Sequence, residues 1–344
     1  MRRKLLILAA LVIVAAGYVF YWYSVAELVR RGILDWSAAR RDEGFTVGWD
    51  RYEVTGFPLA LRVAIDKPVF GRRGVEPGYM ARSPRLVAEA RPWALGRWQV
   101  DAAQGATLAI EPGPARPAIS IAAASLAATV EPRQDGAAAG NPGTGVAATA
   151  DGITVAGQAD LAIAHISAQA VIPAHEVASH LQTWLSASFD LKGMTLPEAV
   201  PPLGDTVDHL AATIAVKGNI PGGPHRQALA AWRDDGGTLE IGALDLGWGD
   251  LVLGAKGTLA LDAALQPVGA MTALIRGYNE IVDALVAGGN LRAGDGAMAK
   301  LALGLLAKEG PDGQYEISAP LTLQNGSVYI GPAKIARMPV FTWE

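Results

Sequence analysis

The chain has 344 residues, 51% of them hydrophobic but only 7% aromatic, with 40 glycines and 21 prolines. Such small aliphatic content and frequent chain reversal suit sheets joined by turns, with ample material for a core. Cysteine is absent, which excludes disulfides, thiolate metal sites, a thiol nucleophile and a lipid-modified N-terminal cysteine; the net charge is −4 with the basic tripeptide Arg2, Arg3, Lys4 included, so the remainder lacks the cationic footprint that neutralises phosphates, and nucleic acid is not an expected partner.

Residues 1–26 read as a basic n-region and a transmembrane anchor. No charge interrupts 5–26, and that run would span roughly 33 Å as a helix, enough for a bilayer core. Tyr18, Tyr21, Trp22 and Tyr23 cluster at its far end, where amphipathic rings favour the headgroup region. The rival is a cleaved signal peptide, because Ser24-Val25-Ala26 offers small residues for a peptidase. The length of the apolar run and the crowding of bulky rings at that site favour retention. The contiguous basic tripeptide before the span and the acidic Glu27 after it predict a cytoplasmic N-terminus, even though Arg30, Arg31, Arg40 and Arg41 also follow. The expected location is the inner membrane, single-pass, with the main domain periplasmic.

Residues 27–44 have helix-forming composition and should extend the anchor as a stalk that stops at Gly44. The expected β-rich domain, 45–344, begins with period-two runs: Phe45, Val47, Trp49; Tyr52, Val54; then, after the corner Gly56-Phe57-Pro58, Leu59, Leu61, Val63, Ile65. Alternation continues at Leu86, Ala88, Ala90; Trp98, Val100; Leu108, Ile110; Ile119, Ile121. The turn-rich tract 131–145 predicts a flexible loop, and 146–172 is again strand-like. Helices are expected at 175–189, 207–214 and 225–233, with a possible sub-boundary near 195–220. Beyond Asp234-Asp235-Gly236-Gly237 the segments TLEIGALDLGW, DLVLGA and GTLALD predict a meander with turns at Gly249-Asp250 and Lys256-Gly257. The spacing of Met271, Leu274, Ile275, Tyr278, Ile281, Val282 and Leu285 predicts one amphipathic helix ended by Gly288-Gly289, resting on that meander. A second, capped by Asp295, carries Met298, Leu301, Ala302 and Leu305. Asn325-Gly326 between 315–323 and 328–330 is a strong hairpin signal. The expected class is α+β, mainly antiparallel: curved sheets with a few covering helices behind one N-terminal transmembrane helix.

Chemical motifs are sparse. His175-Glu176 with His180 misses the i+4 spacing of a metalloprotease helix, since Ser179 stands there. Lys256-Gly257-Thr258 lacks the glycine-rich lead of a phosphate loop, and neither G-x-S-x-G nor S-x-x-K occurs. Asp234 and Asp235 read as a solvated turn more readily than as facing carboxylates, and Gly294-Asp295-Gly296 as a helix start. No catalytic residue, metal ligand or cofactor is expected.

Several strings together carry a resemblance: GFPLALR at 56–62, with Gly56, Phe57 and Pro58; ARPW at 90–93, with Pro92 and Trp93; GGTLEI at 236–241; GTLALD from Gly257 to Asp262, followed by Pro267 and Gly269; and NGSVYIGP, with Gly326, Gly331 and Pro332. In this order behind an anchor, the chain resembles the alphaproteobacterial domain of unknown function 2125. The resemblance implies no activity and no catalytic residues, so these positions read as structural. In layout the chain is also similar to AsmA-type envelope proteins, an analogy of architecture associated with lipid traffic. The leading expectation is a non-catalytic envelope protein that offers an apolar groove to lipid. A protein-binding periplasmic scaffold is the alternative, and an unrecognised hydrolase the third.

Overall fold

The computed structural model describes residues 2–74, 77–113, 117–133, 143–157, 160–289, 291–310, 313–330 and 333–343. The chain divides into two compact units: Met1–Glu131 with Ala150–Ala159, and Pro132–Thr149 with Asp160–Glu344. The sub-boundary expected near 195–220 lies wholly inside the second unit.

The first unit opens with one uninterrupted helix, α1 (Arg2–Asp42), so the segments expected as anchor and stalk form a single rod. It stops where the sequence predicts. Gly44 adopts φ 85°, a conformation that costs glycine little. Its N–H donates to the Arg41 carbonyl, and that of Phe45 to Arg40, both at 2.9 Å.

The strands that follow are β1 (Thr46–Gly48), β2 (Arg51–Thr55), β3 (Leu61–Asp66), β4 (Val69–Arg72), β5 (Gly78–Arg82), β6 (Arg85–Arg91), β7 (Ala94–Ala102), β8 (Ala106–Glu111), β9 (Ile119–Ala123), β10 (Ser125–Arg133) and β11 (Gly143–Ala156). Two antiparallel half-ladders alternate along the chain. One runs β2, β3, β6, β7, β10; the other runs β1, β4, β5, β8, β9 and the end of β11. Each consecutive pair, such as β3 with β4 or β5 with β6, is therefore one long strand broken at mid-length. The breaks fall side by side at Asp50, Lys67-Pro68, Ser83-Pro84 and Gly105, making a crease across the meander. Two of them contain proline, which has no N–H to give the ladder. Lys67 (φ 46°) and Gly105 (φ 89°) turn the chain there. Hydrogen bonds from Asp50 N–H to Asp66 (3.0 Å) and from Lys67 N–H to Pro84 (2.9 Å) keep neighbouring strands joined across the crease.

The apolar side of the first half-ladder receives α1. Trp22, Val25 and Ala26 form one buried cluster with Val54, Leu61 and Val63, flanked by Val29, Ile33, Ile65, Ala88, Leu95 and Trp98. Burial of each large side chain here contributes roughly 1.5 to 3 kcal/mol. Further along α1, Trp36 stacks on Phe70 of β4, which Phe45 also stacks upon.

Besides the last two residues of β10 and the part of β11 up to Thr149, the second unit contains β12 (Leu161–Pro173), β13 (Thr183–Val200), β14 (Gly204–Lys217), α2 (His225–Asp234), β15 (Thr238–Trp248), β16 (Leu251–Leu261), β17 (Pro267–Arg276), α3 (Tyr278–Ala287), α4 (Ala293–Leu306), β18 (Lys308–Glu309), β19 (Tyr315–Gln324), β20 (Ser327–Ile330) and β21 (Ala333–Arg337). From β12 to β17 each strand pairs with the next, antiparallel; β17 then pairs with β19, β19 with β20 and β20 with β21. The class is α+β, mainly antiparallel and open, as the alternation predicts.

Several expected elements differ. Residues 183–189 begin β13, and 207–214 lie in β14, where helices were expected. Both segments are rich in helix formers, but Leu185, Ala187, Phe189 and Leu210, Ala212, Ile214 also alternate, and ladders on either side of β14 reward that alternation over intrinsic preference. The single helix expected across 271–285 is a strand, β17, followed by α3; Gly277 (φ 65°) separates them. A Cβ at Gly277 would stand 2.2 Å from the Asp250 carbonyl oxygen, so the chain must reverse there on glycine. Lys256-Gly257 is no turn but the middle of β16. Helix α4 starts at Ala293, and Asp295 lies in its first turn without a side-chain capping bond. Within the expected loop 131–145, Glu131 to Arg133 and Gly143 to Gly145 are strand; 134–142 lie outside the described residues.

Other expectations hold. Residues 225–233 are helical. Gly249-Asp250 reverses the chain between β15 and β16, and Asn325 (φ 51°) with Gly326 (φ 64°) forms the two-residue turn between β19 and β20.

Candidate functional site

An extensive organised surface is one face of the second unit's sheet. Residues directly opposite in a ladder share a face. Reading across, Ile166, Leu191, Leu210, Leu246, Leu253, Ile275 and Ile317 form one row over seven strands. Two positions along each strand, a second row runs from Ala168 through Phe189, Ala212, Leu244, Ala255 and Ala273 to Ala319. The third joins Ala170, Ala187, Ile214, Ile241, Gly257, Met271, Leu321 and Ile330. The fourth joins Leu185, Val216, Leu239, Leu259, Gly269, Leu323 and Val328. No polar side chain interrupts these four rows.

Helix α3 covers part of this face, with Tyr278, Ile281 and Ala284 packed against the cluster of Leu251, Ala255, Ala273 and Ile275. Ile214, Ile241 and Met271 in the third row remain only half-buried. The opposite face is mixed: Ser167, Asp190 and Asp245 stand on it, with Ser188, Thr213, Glu240 and Thr258, beside Ala211, Ala243 and the exposed Val252 and Leu274. A shallow recess of about 180 Å³ there is lined by Ser167, Gln169, Asp190 and Asp245 together with Ala211, Ala243 and others. Near one end Arg276 and Glu316 form a largely shielded ion pair at 3.0 Å.

In the first unit the crease bounds an open recess of about 850 Å³, lined by Lys67, Pro68, Arg82, Ser83, Pro84 and Gly105 among others. The Lys67 ammonium donates to Asp50 at 2.7 Å, which pushes its pKa above the ordinary value. The crease itself is absent from the sequence reading, although Pro68 and Pro84 inside alternating runs are its signal.

The sequence-selected positions are dispersed. Arg2, Arg3 and Lys4 stand in the exposed first turn of α1. Trp22, expected as an interfacial ring, is instead buried in protein, its Nε1 donating to the Ala60 carbonyl at 3.0 Å. Tyr21 donates to the Pro92 carbonyl at 2.8 Å, and Tyr23 stacks on Phe57. Gly56 (φ 105°), Phe57 and Pro58 turn the chain between β2 and β3; Pro92 and Trp93 turn it between β6 and β7. Asp262 organises the turn before Pro267, its Oδ1 accepting from the backbone N–H groups of Ala264 and Gln266, each at 2.8 Å. Gly257 and Gly269 stand where β16 and β17 approach closely: a Cβ on Gly257 would lie 2.3 Å from the Ala270 carbonyl oxygen, and one on Gly269 2.2 Å from that of Thr258. Gly326 makes the hairpin. Gly331 and Pro332 lie outside the described residues.

His175 and His180 fall in an irregular segment before β13 and not on a helix. Asp234 is exposed and paired with Arg233 at 2.7 Å, while Asp235 follows the end of α2. Among the described residues no three His, Asp or Glu side chains gather as a metal site would require. The arrangement presents apolar surface and structural turns, and α1 is long and apolar enough to cross a membrane.

No curated protein and no solved structure matches the chain, so the likeness in layout to AsmA-type proteins finds no counterpart there. Residues 22–339 match the model of one family, described as an uncharacterized protein conserved in bacteria. That match spans both units and every string on which the resemblance rested, and the chain therefore belongs to the DUF2125 family.

Proposed function

We propose that this protein is a non-catalytic, single-pass component of the bacterial envelope, anchored in the inner membrane by α1 with its main mass in the periplasm, and that the apolar sheet face of the second unit receives lipid acyl chains. The observation that carries the reading is the unbroken apolar character of four adjacent cross-strand rows, against an opposite face on which serine, threonine and acidic side chains interrupt the apolar ones. Seven strands at about 4.8 Å make a strip roughly 29 Å long, about twice the ~15 Å depth of one leaflet's hydrocarbon. An acyl chain laid along it exchanges water for side-chain contact at roughly 25 cal/mol per Å².

Site-specific photocrosslinking tests this. A benzophenone side chain at Ile214 or Met271, on the apolar face, should yield adducts of lipid mass in cells; at Thr213 or Thr272, on the opposite face, it should not. Equal yields from both faces, or none from either, would defeat the reading.

A second reading, a scaffold for another envelope protein, draws on α4, whose Met298, Leu301, Leu305 and Leu306 are all more than 60% exposed. Protein adducts from position 301, with no lipid adducts from 214 or 271, would favour it.

A further inference from the structure

We infer that two tips of the first unit, the loop 56–60 and the turn Pro92-Trp93 with the start of β7 to Gly96, are immersed in the interfacial layer of the membrane leaflet from which α1 emerges. The inference rests on the reading of α1 as a membrane span. The uncharged run of α1 is 5–26, yet the domain grips the helix well inside that run. Tyr18 donates to the carbonyl of Pro58, Tyr21 to that of Pro92 and Trp22 to that of Ala60. Tyr18 lies eight residues before Ala26, about 12 Å along a helix axis. The stretch 5–17, free of these contacts, reaches only about 20 Å, whereas a hydrocarbon core is about 30 Å thick. A helix that crosses the core thus carries both tips down to the membrane surface and into it.

The tips have the chemistry for that depth. Phe57 is 46% exposed, Leu59 67% and Trp93 56%, and neither 56–60 nor 92–96 contains a charge. Large exposed apolar side chains on adjacent tips are costly in water and favourable in an interface, where tryptophan concentrates. Backbone polar groups are also provided for, as a layer poor in water demands. Pro58 and Pro92 have no N–H, the Ala60 N–H bonds to Gly56 at 2.9 Å, and the Pro58, Ala60 and Pro92 carbonyls receive the three aromatic donors of α1. Beside Trp93 a recess of about 370 Å³ is lined by Arg91, Arg97 and Glu89; Glu89 pairs with Arg62 and Arg97 with Glu131, each at 2.7 Å, so the charged groups flank the apolar tip and do not enter it.

Because the natural chain has no cysteine, single-cysteine variants report position directly. Full-length Val12→Cys, Leu59→Cys, Trp93→Cys and Asp101→Cys proteins, each carrying an environment-sensitive fluorophore, are reconstituted into vesicles of phosphatidylethanolamine and phosphatidylglycerol. Quenching by shallow spin-labelled lipid is compared with quenching by aqueous iodide. Labels at 59 and 93 should respond to the lipid quencher and resist iodide, as the label at 12 resists it, while 101, at the far end of β7, should do the reverse. If 12 is lipid-quenched but 59 and 93 behave like 101, the immersion of the tips is wrong and the span stands. If 12 itself is open to iodide and insensitive to lipid, the span and the inference fall together.

Discussion

The indole nitrogen of Trp22 in α1 donates a 3.0 Å hydrogen bond to the carbonyl of Ala60, at the end of the loop that joins β2 to β3. One side chain therefore ties the helix to the sheet through both apolar burial and a directed polar contact. Trp22→Ala should lower stability by about 3 to 5 kcal/mol, read as the shift of a denaturant midpoint in detergent. Trp22→Phe keeps most of the volume and should lose about 0.5 to 1.5 kcal/mol, the net worth of one hydrogen bond. Unchanged midpoints for both variants would mean that α1 does not dock on β2 and β3.

Phe57 is packed less completely. Its ring meets Trp22 edge-on at 5.5 Å and stacks on Tyr23 at 6.1 Å, while nearly half of it stays exposed. With the tilted contact to Tyr18 at 6.5 Å the ring makes three aromatic pairs, and Phe57→Ala should lose about 1 to 3 kcal/mol, less than Trp22→Ala by the same measurement. A loss as large as that of Trp22→Ala would place the ring in the core.

Two glycines in β16 should behave differently. A Cβ on Gly257 meets the Ala270 carbonyl oxygen at 2.3 Å and the Met271 Cα at 2.5 Å, so the strands must part; on Gly254 the nearest atom is an Asp245 carboxylate oxygen at 3.7 Å. Gly257→Ala should cost about 1 to 3 kcal/mol through overpacking, and Gly254→Ala should be tolerated. Thermal unfolding of the two variants side by side gives the comparison.

Leu274 and Ile275 are neighbours in β17 on opposite faces. Ile275 is 3% exposed and Leu274 38%. Ile275→Asp should abolish cooperative unfolding of the second unit, because a carboxylate there would lie unpaired among aliphatic side chains, whereas Leu274→Asp should leave the melting curve nearly unchanged. Ile281→Asp in α3 should also destabilise, since that side chain packs on the same cluster. Equal effects at 274 and 275 would instead restore a helix in this segment.

The Lys67–Asp50 contact has a pH signature. Asp50 raises the lysine's pKa above 10.5, so its contribution is fully present below the unfolded value and is lost as pH rises through the folded one. Both groups are exposed, and the effect should be small. Asp50→Asn should reduce the fall in melting temperature above about pH 10 while changing little of the profile below it. An alkaline limb identical to that of the natural protein would show that the contact adds nothing.

Some of this architecture follows from local sequence. Apolar alternation at Val54, Leu61, Val63 and at Leu253, Ala255, Leu259 specifies strands because side chains on a pleated backbone alternate faces whatever lies beyond them. The charge-free run before Glu27 specifies a helix able to cross a membrane, Gly44 its end, and Asn325-Gly326 the hairpin, since each depends on a preference local to a few residues. Partners were decided only in three dimensions. Residues 183–189 and 207–214 have helical composition, and the ladders on both sides of β14 made them strands. The four apolar rows are invisible in any one segment, because a row exists only once register brings Leu191, Leu210 and Leu246 abreast. Trp22 likewise has the composition of a membrane-interface ring, and only the sheet beneath it, presenting Val54, Leu61 and Val63, made it a core residue. Composition sets what a side chain can bury; the neighbours that the fold supplies determine what it is buried against.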